Sequence, residues 1–239
     1  MKKIKVALVG TGNWCLQHCR VLTHHPQVFF CGILGRNKER TKKRAKLFDV
    51  PYYLDLQELI RNQKPDLINI SLPNEHHYDM TMKVIKSSCH LFVEKPLVFK
   101  MQEAKKLLAE AKKRKLFFGI NFNWRYSTPV RKAVQAINEN KLGEINFITW
   151  RFGGSGGGGD PHGNLIETQC HGFDMLEHLN GPIKFVHSIM TDKTNNGFST
   201  FVVSMKFKNK SVGSLVGSYD TSYAYPNTHY LEINGSKGR

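Results

Sequence analysis

Apolar residues in the first half of the chain cluster in short runs, at positions 4–9, 28–34, 67–72, 91–93 and 116–120. Such runs are too short for buried helices and show little alternation, so they predict strands of a sheet covered on both faces. Between them, positions 14–25, 38–48, 75–87 and 101–115 carry the spacing of amphipathic helices. Strand and helix alternating in this way predict parallel pairing through right-handed crossovers. The second half reads differently. A helix at 130–138 and a strand at 144–152 lead into a glycine-rich loop at 153–159, then a helix at 165–179 stopped by Asn180-Gly181-Pro182. Four strand patterns follow, at 184–190, 199–207, 211–218 and 229–233, with turns at Asn195-Asn196-Gly197 and Asn209-Lys210. With no helix between them they predict an antiparallel sheet. The fold class is thus α/β, in two domains, 1–120 and 121–239.

Composition narrows the class. Of 239 residues, 40% are hydrophobic and 11% aromatic, enough to pack a core and too many for a disordered chain. No stretch nears the ~20 apolar residues that a membrane helix requires. The basic start, Met1-Lys2-Lys3, precedes a short apolar run that ends in a Gly-x-Gly turn, so it reads as a first strand rather than a signal peptide. Lys and Arg number 35 against 19 Asp and Glu, a net charge of +16. That excess fits a nucleic-acid surface, an anionic substrate or cofactor, or a plain solvated surface. The bases bunch between Arg36 and Lys46 and between Lys100 and Lys115, on predicted helices without interleaved aromatics. This speaks for exposed faces and against a nucleic-acid partner. The 5 cysteines form no C-x-x-C pair, which fits a reducing, cytoplasmic compartment and no zinc site.

Gly10-Thr11-Gly12-Asn13-Trp14-Cys15 follows the first predicted strand and opens the first predicted helix. This is the context in which a Gly-x-Gly-x-x-Gly type of loop binds a dinucleotide. Gly10 allows the tight turn, Gly12 the approach of a pyrophosphate, and the helix start offers N–H groups with partial positive charge. A tight turn with no ligand is the competing reading. Domains that prefer NAD carry an acid at the end of the second strand for the ribose 2′-hydroxyl. Here that strand ends Leu34-Gly35-Arg36, and a guanidinium suits a 2′-phosphate. NADP is therefore the expected cofactor and NAD the alternative; Arg36 also fits the plain start of a basic helix.

Glu94-Lys95-Pro96 ends the predicted strand at 91–93, at the carboxyl edge of a parallel sheet, where ligands of such folds bind. A Lys95 ammonium there can donate to a substrate hydroxyl oxygen and stabilise charge on it. On the predicted helix 165–179, Glu167, His171, Asp174 and His178 span roughly 60° of one face at about 100° per residue. Three readings stay open from spacing: proton transfer by a neutral His171 supported by Glu167, a shared metal ion, or an exposed face of i,i+4 pairs.

Taken in order, these motifs make the chain similar to the Gfo/Idh/MocA family, relatives of glucose–fructose oxidoreductase and inositol dehydrogenase. Gly10-x-Gly12-x-x-Cys15-x-x-His18 resembles the family's nucleotide loop, and Pro73-Asn74-Glu75-His76-His77 its Pro-Asn-x-x-His segment. Glu94-Lys95-Pro96-Leu97 resembles its Glu-Lys-Pro signature. Asn121-Phe122-Asn123-Trp124-Arg125-Tyr126 and Lys141-Leu142-Gly143-Glu144-Ile145 resemble its entry to the second domain. The resemblance implies a Rossmann dinucleotide-binding domain, then an α+β domain with an open, mostly antiparallel sheet, incomplete in this chain. It implies NAD(P)-dependent oxidation of a secondary alcohol on a carbohydrate-like small molecule, a sugar, cyclitol or nucleotide sugar. It also implies a homo-oligomer at full length, packed through the open sheet, with no metal and no membrane partner.

The implied catalytic residues are Lys95, His171 and Glu167. His171 matches the family's catalytic histidine and Asp174 the following aspartate; Glu167 stands where the family often has Asp, and Gln169 where it often has Gly. The implied cofactor contacts are Gly10, Thr11, Gly12, Asn13, Trp14, Gly35, Arg36, Leu72, Pro73, Asn74, His77, Glu94 and Lys95. Lys95, Arg125, Tyr126, Glu167 and His171 are the implied substrate side; His162, by its place after the glycine-rich loop alone, is a lid candidate that nothing else in the sequence fixes. A redox-assisted lyase or glycosidase with tightly held cofactor is the alternative within the family. A non-catalytic dinucleotide sensor is the alternative outside enzymes. The final strand pattern runs into Gly235-Ser236-Lys237-Gly238-Arg239, which sets the expectation of a protein that continues.

Overall fold

The computed structural model describes residues 2–154, 163–191, 200–219 and 229–239. Most of the glycine run, His162 and the turn at 195–197 lie outside the described residues. The chain divides into two compact units, Met1–Asn121 and Phe122–Arg239.

The first unit runs β1 (Ile4–Val9), α1 (Asn13–His24), β2 (Val28–Leu34), α2 (Lys38–Leu47), β3 (Tyr52–Tyr53) and α3 (Leu56–Gln63). It continues with β4 (Leu67–Ile70), a 3-10 turn (Asn74–His76), α4 (His77–Lys86), β5 (His90–Val93), α5 (Met101–Lys113) and β6 (Phe118–Ile120). The strands pair in parallel in the order β3-β2-β1-β4-β5-β6. Burial is continuous from Val6 to Val9 because both faces of the sheet are covered. The order changes direction between β1 and β4, the switch point at which open α/β sheets bind ligands. Hydrogen bonds continue past the strand ends along that edge. Ser71 N–H donates to Val9 O at 2.9 Å, Glu94 N–H to Ile70 O at 2.9 Å, and Asn121 N–H to Val93 O at 2.8 Å. The parallel register therefore sets Gly10, Ser71, Glu94 and Asn121 along one carboxyl edge.

Periodicity alone predicts neither β3 nor α3. β3 is two residues on the sheet edge. α3 carries a signal in its cap: the Asp55 side chain accepts from Glu58 N–H at 2.8 Å, and Asp-x-x-Glu is a helix-start pattern.

The second unit runs from a 3-10 turn (Asn123–Tyr126) through α6 (Thr128–Asn138), β7 (Ile145–Gly153), a π turn (Asn164–Thr168) and α7 (Cys170–Asn180). β8 (Ile183–Thr191), β9 (Thr200–Phe207), β10 (Val212–Ser218) and β11 (His229–Gly235) follow. The sheet order is β11-β7-β10-β9-β8. Two points correct the sequence expectation. β7 lies between β11 and β10, and its pairing with β10 is parallel, while the other three pairings are antiparallel. α7 is the reason. It carries the chain from β7 to the far strand β8, and two antiparallel steps through β9 then bring β10 back beside β7 in the same direction.

β9 alternates strictly, with Phe201, Val203, Met205 and Phe207 buried. They pack with Ile148, Trp150 and Leu215 against Met175, Leu176 and Leu179 of α7. α7 lies so close that a Cβ at Gly172 would stand 2.5 Å from Trp150 Nε1. On the other face of the sheet Phe147, Val202 and Val212 are exposed, as is Ile189 of the edge strand β8. Among the described residues no helix is long and apolar enough to cross a membrane.

Candidate functional site

The two glycines of the loop after β1 answer to different constraints. Gly10 has φ +131°, and a Cβ there would lie 2.0 Å from the Ser71 carbonyl oxygen, so the turn itself excludes a side chain. Gly12 has φ −69°, and its Cβ would meet nothing within 4 Å. Nothing in the protein's own packing demands glycine at position 12; the open space before it marks room for a ligand. Gly12 caps α1 with no side-chain cap and no acid in the first turn, so the first helical amides remain available to an anion. Cys15 is small enough to keep the helix close: it is buried, and its Sγ donates to Ser71 O at 2.9 Å. Gly10, Thr11, Gly12, Asn13 and Trp14, with Gly35, Arg36, Leu72 and Pro73, line a cavity of about 430 Å³. These residues fit the pyrophosphate of a dinucleotide. Beside it, Leu34, Arg36, Leu54, Leu72 and Met80 help to line a cavity of about 540 Å³.

The end of β2 is closed to an acidic side chain. A Cβ at Gly35 would stand 2.3 Å from Thr41 Oγ1 and 2.6 Å from Thr11 Cγ2. The residue that reaches out from this strand end is Arg36, which is exposed.

Glu94, expected among the cofactor contacts, has protein partners on both carboxylate oxygens. It is buried, and its carboxylate is engaged inside the protein. Oε1 accepts from Trp14 Nε1 at 2.8 Å, His18 Nε2 at 2.7 Å and Asn121 Nδ2 at 2.5 Å; Oε2 accepts the Lys95 backbone N–H at 3.2 Å. Asn69 Nδ2 donates to His18 Nδ1 at 2.9 Å, which assigns the imidazole proton to Nε2. Glu94 thus ties α1 to the turn that carries the half-buried Lys95. The Lys95–Pro96 peptide bond is cis.

Burial pushes the Glu94 carboxyl up, but His18, Asn121 and Trp14 together hold it below the usual range. A carboxyl lowered in the folded state contributes stability above its unfolded value, and that stability is lost as pH falls through the folded value. Glu94→Gln is expected to be less stable at pH 7 by about 1–3 kcal/mol. Below the ordinary carboxyl value of 4.5 the gap between the two proteins should close, read as melting temperature against pH. A gap that stays constant down to strong acid would remove the charge from this role.

His77, also expected at the cofactor, is wholly buried. Its ring nitrogens lie 2.8 Å from the Pro96 carbonyl oxygen and 2.9 Å from that of Leu72. The ring sits between the loop after β4 and the Glu-Lys-Pro turn, with its N–H able to donate to one of the two carbonyls. Both neighbours are backbone carbonyls, which no side-chain motif reveals.

In the second unit the expected single helix 165–179 is two segments. Gln169 N–H donates to Asn164 O at 2.9 Å, the wider i→i+5 step of a π turn. The buried Gln169 side chain holds the break: Oε1 accepts from Trp150 Nε1 at 3.1 Å, and Nε2 donates to Phe152 O at 3.3 Å. Glu167 therefore sits in the π turn, outside the regular α7 spacing. His171, Asp174 and His178 keep it.

His171 stacks on Trp124, with ring centroids 5.3 Å apart and planes 16° from parallel, and meets Phe122 edge-on at 5.9 Å. Three residues on, Asp174 takes Arg125 in a two-pronged pair: Nε donates to Oδ2 at 2.7 Å, and Nη2 donates to Oδ1. Asp174 pushes the Arg125 guanidinium up, against a smaller opposing effect of burial. The pair uses Nε and Nη2 of Arg125, whose side chain stays 39% exposed. Tyr126 is 73% exposed. His229 lies 4.4 Å from Trp124 and 4.2 Å from Phe152 by ring centroids, and burial lowers its pKa. Sequence reasoning gave neither Trp124 nor Gln169 a role in shaping this site; the signals were Trp124 within the Asn121–Tyr126 motif and Gln169 standing where the resemblance leads one to expect Gly. Among the described residues no group of three or more His, Cys, Asp or Glu is arranged to hold a metal.

Comparison with known proteins bears on both units. Residues 4–122 match the model of the Gfo/Idh/MocA oxidoreductase family with its NAD-binding Rossmann fold. Residues 130–239 match the C-terminal domain model of the same family. An uncharacterized oxidoreductase of Synechocystis is 27% identical over 195 residues, 75% of this chain and 52% of that protein. The myo-inositol 2-dehydrogenase of Thermotoga maritima is 23% identical over an alignment that covers 99% of this chain and 74% of that protein. The chain thus spans about half the length of the first and about three quarters of the second. In fold it is similar to the WlbA dehydrogenase of Bordetella pertussis, solved with NADH and UDP-GlcNAcA. The TM-score is 0.87 at 17% identity, covering 98% of this chain and 72% of that one. A glycine loop at the switch point of a parallel sheet, followed by a unit that matches the second half of the same family, leaves one assignment: the chain belongs to the Gfo/Idh/MocA family of oxidoreductases.

Proposed function

We propose that this protein interconverts a secondary hydroxyl and a ketone on a sugar, cyclitol or nucleotide sugar, using NAD(P) with NADP preferred. The observation that carries the reading is the open space before Gly12, at the switch point whose carboxyl edge also bears Lys95. The myo-inositol 2-dehydrogenase relative and the UDP-GlcNAcA held by WlbA support the substrate class. A bound nicotinamide supplies the two-electron acceptor. Lys95 donates to the reacting oxygen and stabilises the charge that develops on it. His171 takes the hydroxyl proton, its ring plane held by Trp124. Glu167 and Tyr126 hydrogen-bond further substrate hydroxyls. Asn74, with Leu72 and Pro73, borders the dinucleotide. The exposed Phe147, Val202, Val212 and Ile189 suit a homo-oligomer packed through the open sheet. A reducing cytoplasm suits the buried thiols, of which Cys19 is pushed up to about 12 by burial.

Arg36 and the barred Gly35 position support the NADP preference. Titration with NADPH and NADH, followed by tryptophan fluorescence, tests it. Tighter NADPH binding is expected, and Arg36→Ala should lower the NADPH/NADH affinity ratio about tenfold. An unchanged ratio in that variant would discard the 2′-phosphate argument and keep the dehydrogenase.

A further inference from the structure

We propose that Gln169 is a positioning residue for the reaction: its side chain imposes the π turn before α7 and so brings Glu167 into register over His171. The inference rests on the dehydrogenase reading above and names the residue that sets the spacing of its two polar groups. In an unbroken α-helix Glu167 would stand about 40° off His171, because four steps of about 100° overshoot one full turn. Inside an i→i+5 turn each step sweeps less, so the overshoot shrinks and Glu167 comes round over His171. Gln169 closes that turn twice. Its backbone N–H donates to Asn164 O at 2.9 Å, and its side-chain Nε2 donates to Asn164 Oδ1 at 3.3 Å. An α-helical closure would give the Asn164 carbonyl to Thr168 N–H instead and rotate Gln169 relative to β7.

The sheet is shaped to take this amide. Oε1 accepts from Trp150 Nε1 at 3.1 Å, and Nε2 also donates to Phe152 O at 3.3 Å, both on β7. On the neighbouring strand β10 a Cβ at Gly217 would stand 2.8 Å from both Cγ and Cδ of Gln169, so the side chain fits only beside glycine. Packing of α7 does not require a polar group here. Met175, Leu176 and Leu179 already hold the helix to the sheet, and an apolar residue would fill the niche. A buried amide with hydrogen bonds at both ends instead specifies one geometry, because any other leaves the Trp150 N–H without its acceptor. The geometry serves proton transfer. The carbinol hydrogen leaves with its electron pair for the nicotinamide, and the hydroxyl proton passes to His171. Glu167, one turn earlier, holds a neighbouring hydroxyl so that the reacting O–H faces the ring. Such steps are sensitive to small displacements of the groups that orient them.

A double-mutant cycle tests it. Wild type, Gln169→Met, Glu167→Ala and the double variant are assayed with saturating NAD(P)+ on a panel of cyclitols, hexoses and UDP-sugars. Methionine keeps the length of the side chain and loses its hydrogen bonds. On the compound that wild type oxidises fastest, Gln169→Met is expected to lower kcat/KM about tenfold, with NADPH affinity unchanged. In the Glu167→Ala background the same change should cost nothing further, because the residue through which it acts is gone. Equal fold-losses in both backgrounds overturn the proposal and leave Gln169 a structural part. Wild-type turnover by Gln169→Met overturns it as well. Should Gln169→Met fail to fold, Gly217→Ala crowds the amide without altering it. The same dependence on Glu167 is expected there, and a loss independent of Glu167 overturns the proposal. Full turnover by Glu167→Ala beside an inactive His171→Asn overturns this inference alone. A folded wild type inert on the whole panel overturns the dehydrogenase reading and this inference with it.

Discussion

His171→Asn is expected to lower kcat/KM by about 10²- to 10⁴-fold on an established polyol substrate while NADPH affinity stays unchanged. Asparagine keeps a polar side chain on α7 but has no site that takes up a proton near neutral pH. The surroundings of the ring remain intact in the variant. The pair between Arg125 and Asp174 still holds the 3-10 turn against α7, and Trp124 keeps its contacts with Trp150 and Phe152. The loss is thus one of proton transfer, not of folding, and a melting curve that matches wild type checks this. Steady-state kinetics with saturating cofactor give the number. Full turnover by the variant would assign the proton to another group.

Gly12→Asp is expected to abolish dinucleotide binding, by about 100-fold or more, without loss of stability. Aspartate is a better N-cap than glycine, and the φ of −69° at Gly12 suits it. Its side chain enters open space as far as the protein is concerned, so the fold has no reason to object. The same carboxylate stands where the pyrophosphate must lie and repels it. Gly10→Ala makes the contrast. There the added carbon meets the Ser71 carbonyl oxygen and the backbone holds φ +131°, so strain alone costs about 1–3 kcal/mol before the collision is relieved. Thermal melts and fluorescence titrations of the two variants separate the glycine that the turn needs from the one that the ligand needs. Normal NADPH binding by Gly12→Asp would mean that the loop is only a turn.

Much of this could be read from neighbouring residues. The short apolar runs mark β1, β2, β4 and β5, and the glycine loop, Arg36 and Lys95 stand at the sheet edge those strands form. Periods of two and of three to four, and the chemistry of turns, are properties of a few consecutive residues. That is why the α3 cap at Asp55, also local, was legible in principle. The parallel pairing of β7 with β10 was not legible in that way, because it depends on where α7 delivers the chain.

Local patterning along the chain suffices for the parallel first sheet, the phosphate-type loop, the missing acid after β2 and the presence of His171 and Asp174 on one helix. Tertiary structure decided which polar groups remain available. Arg125 meets Asp174 across 49 positions, Glu94 meets Trp14 across 80, and His77 meets the Pro96 carbonyl across 19. It also bent the helix before His171, through contacts of Gln169 with β7. A side chain's chemistry is written in its own letter; whether that chemistry is already taken depends on the donors and acceptors that folding brings to it from far along the chain.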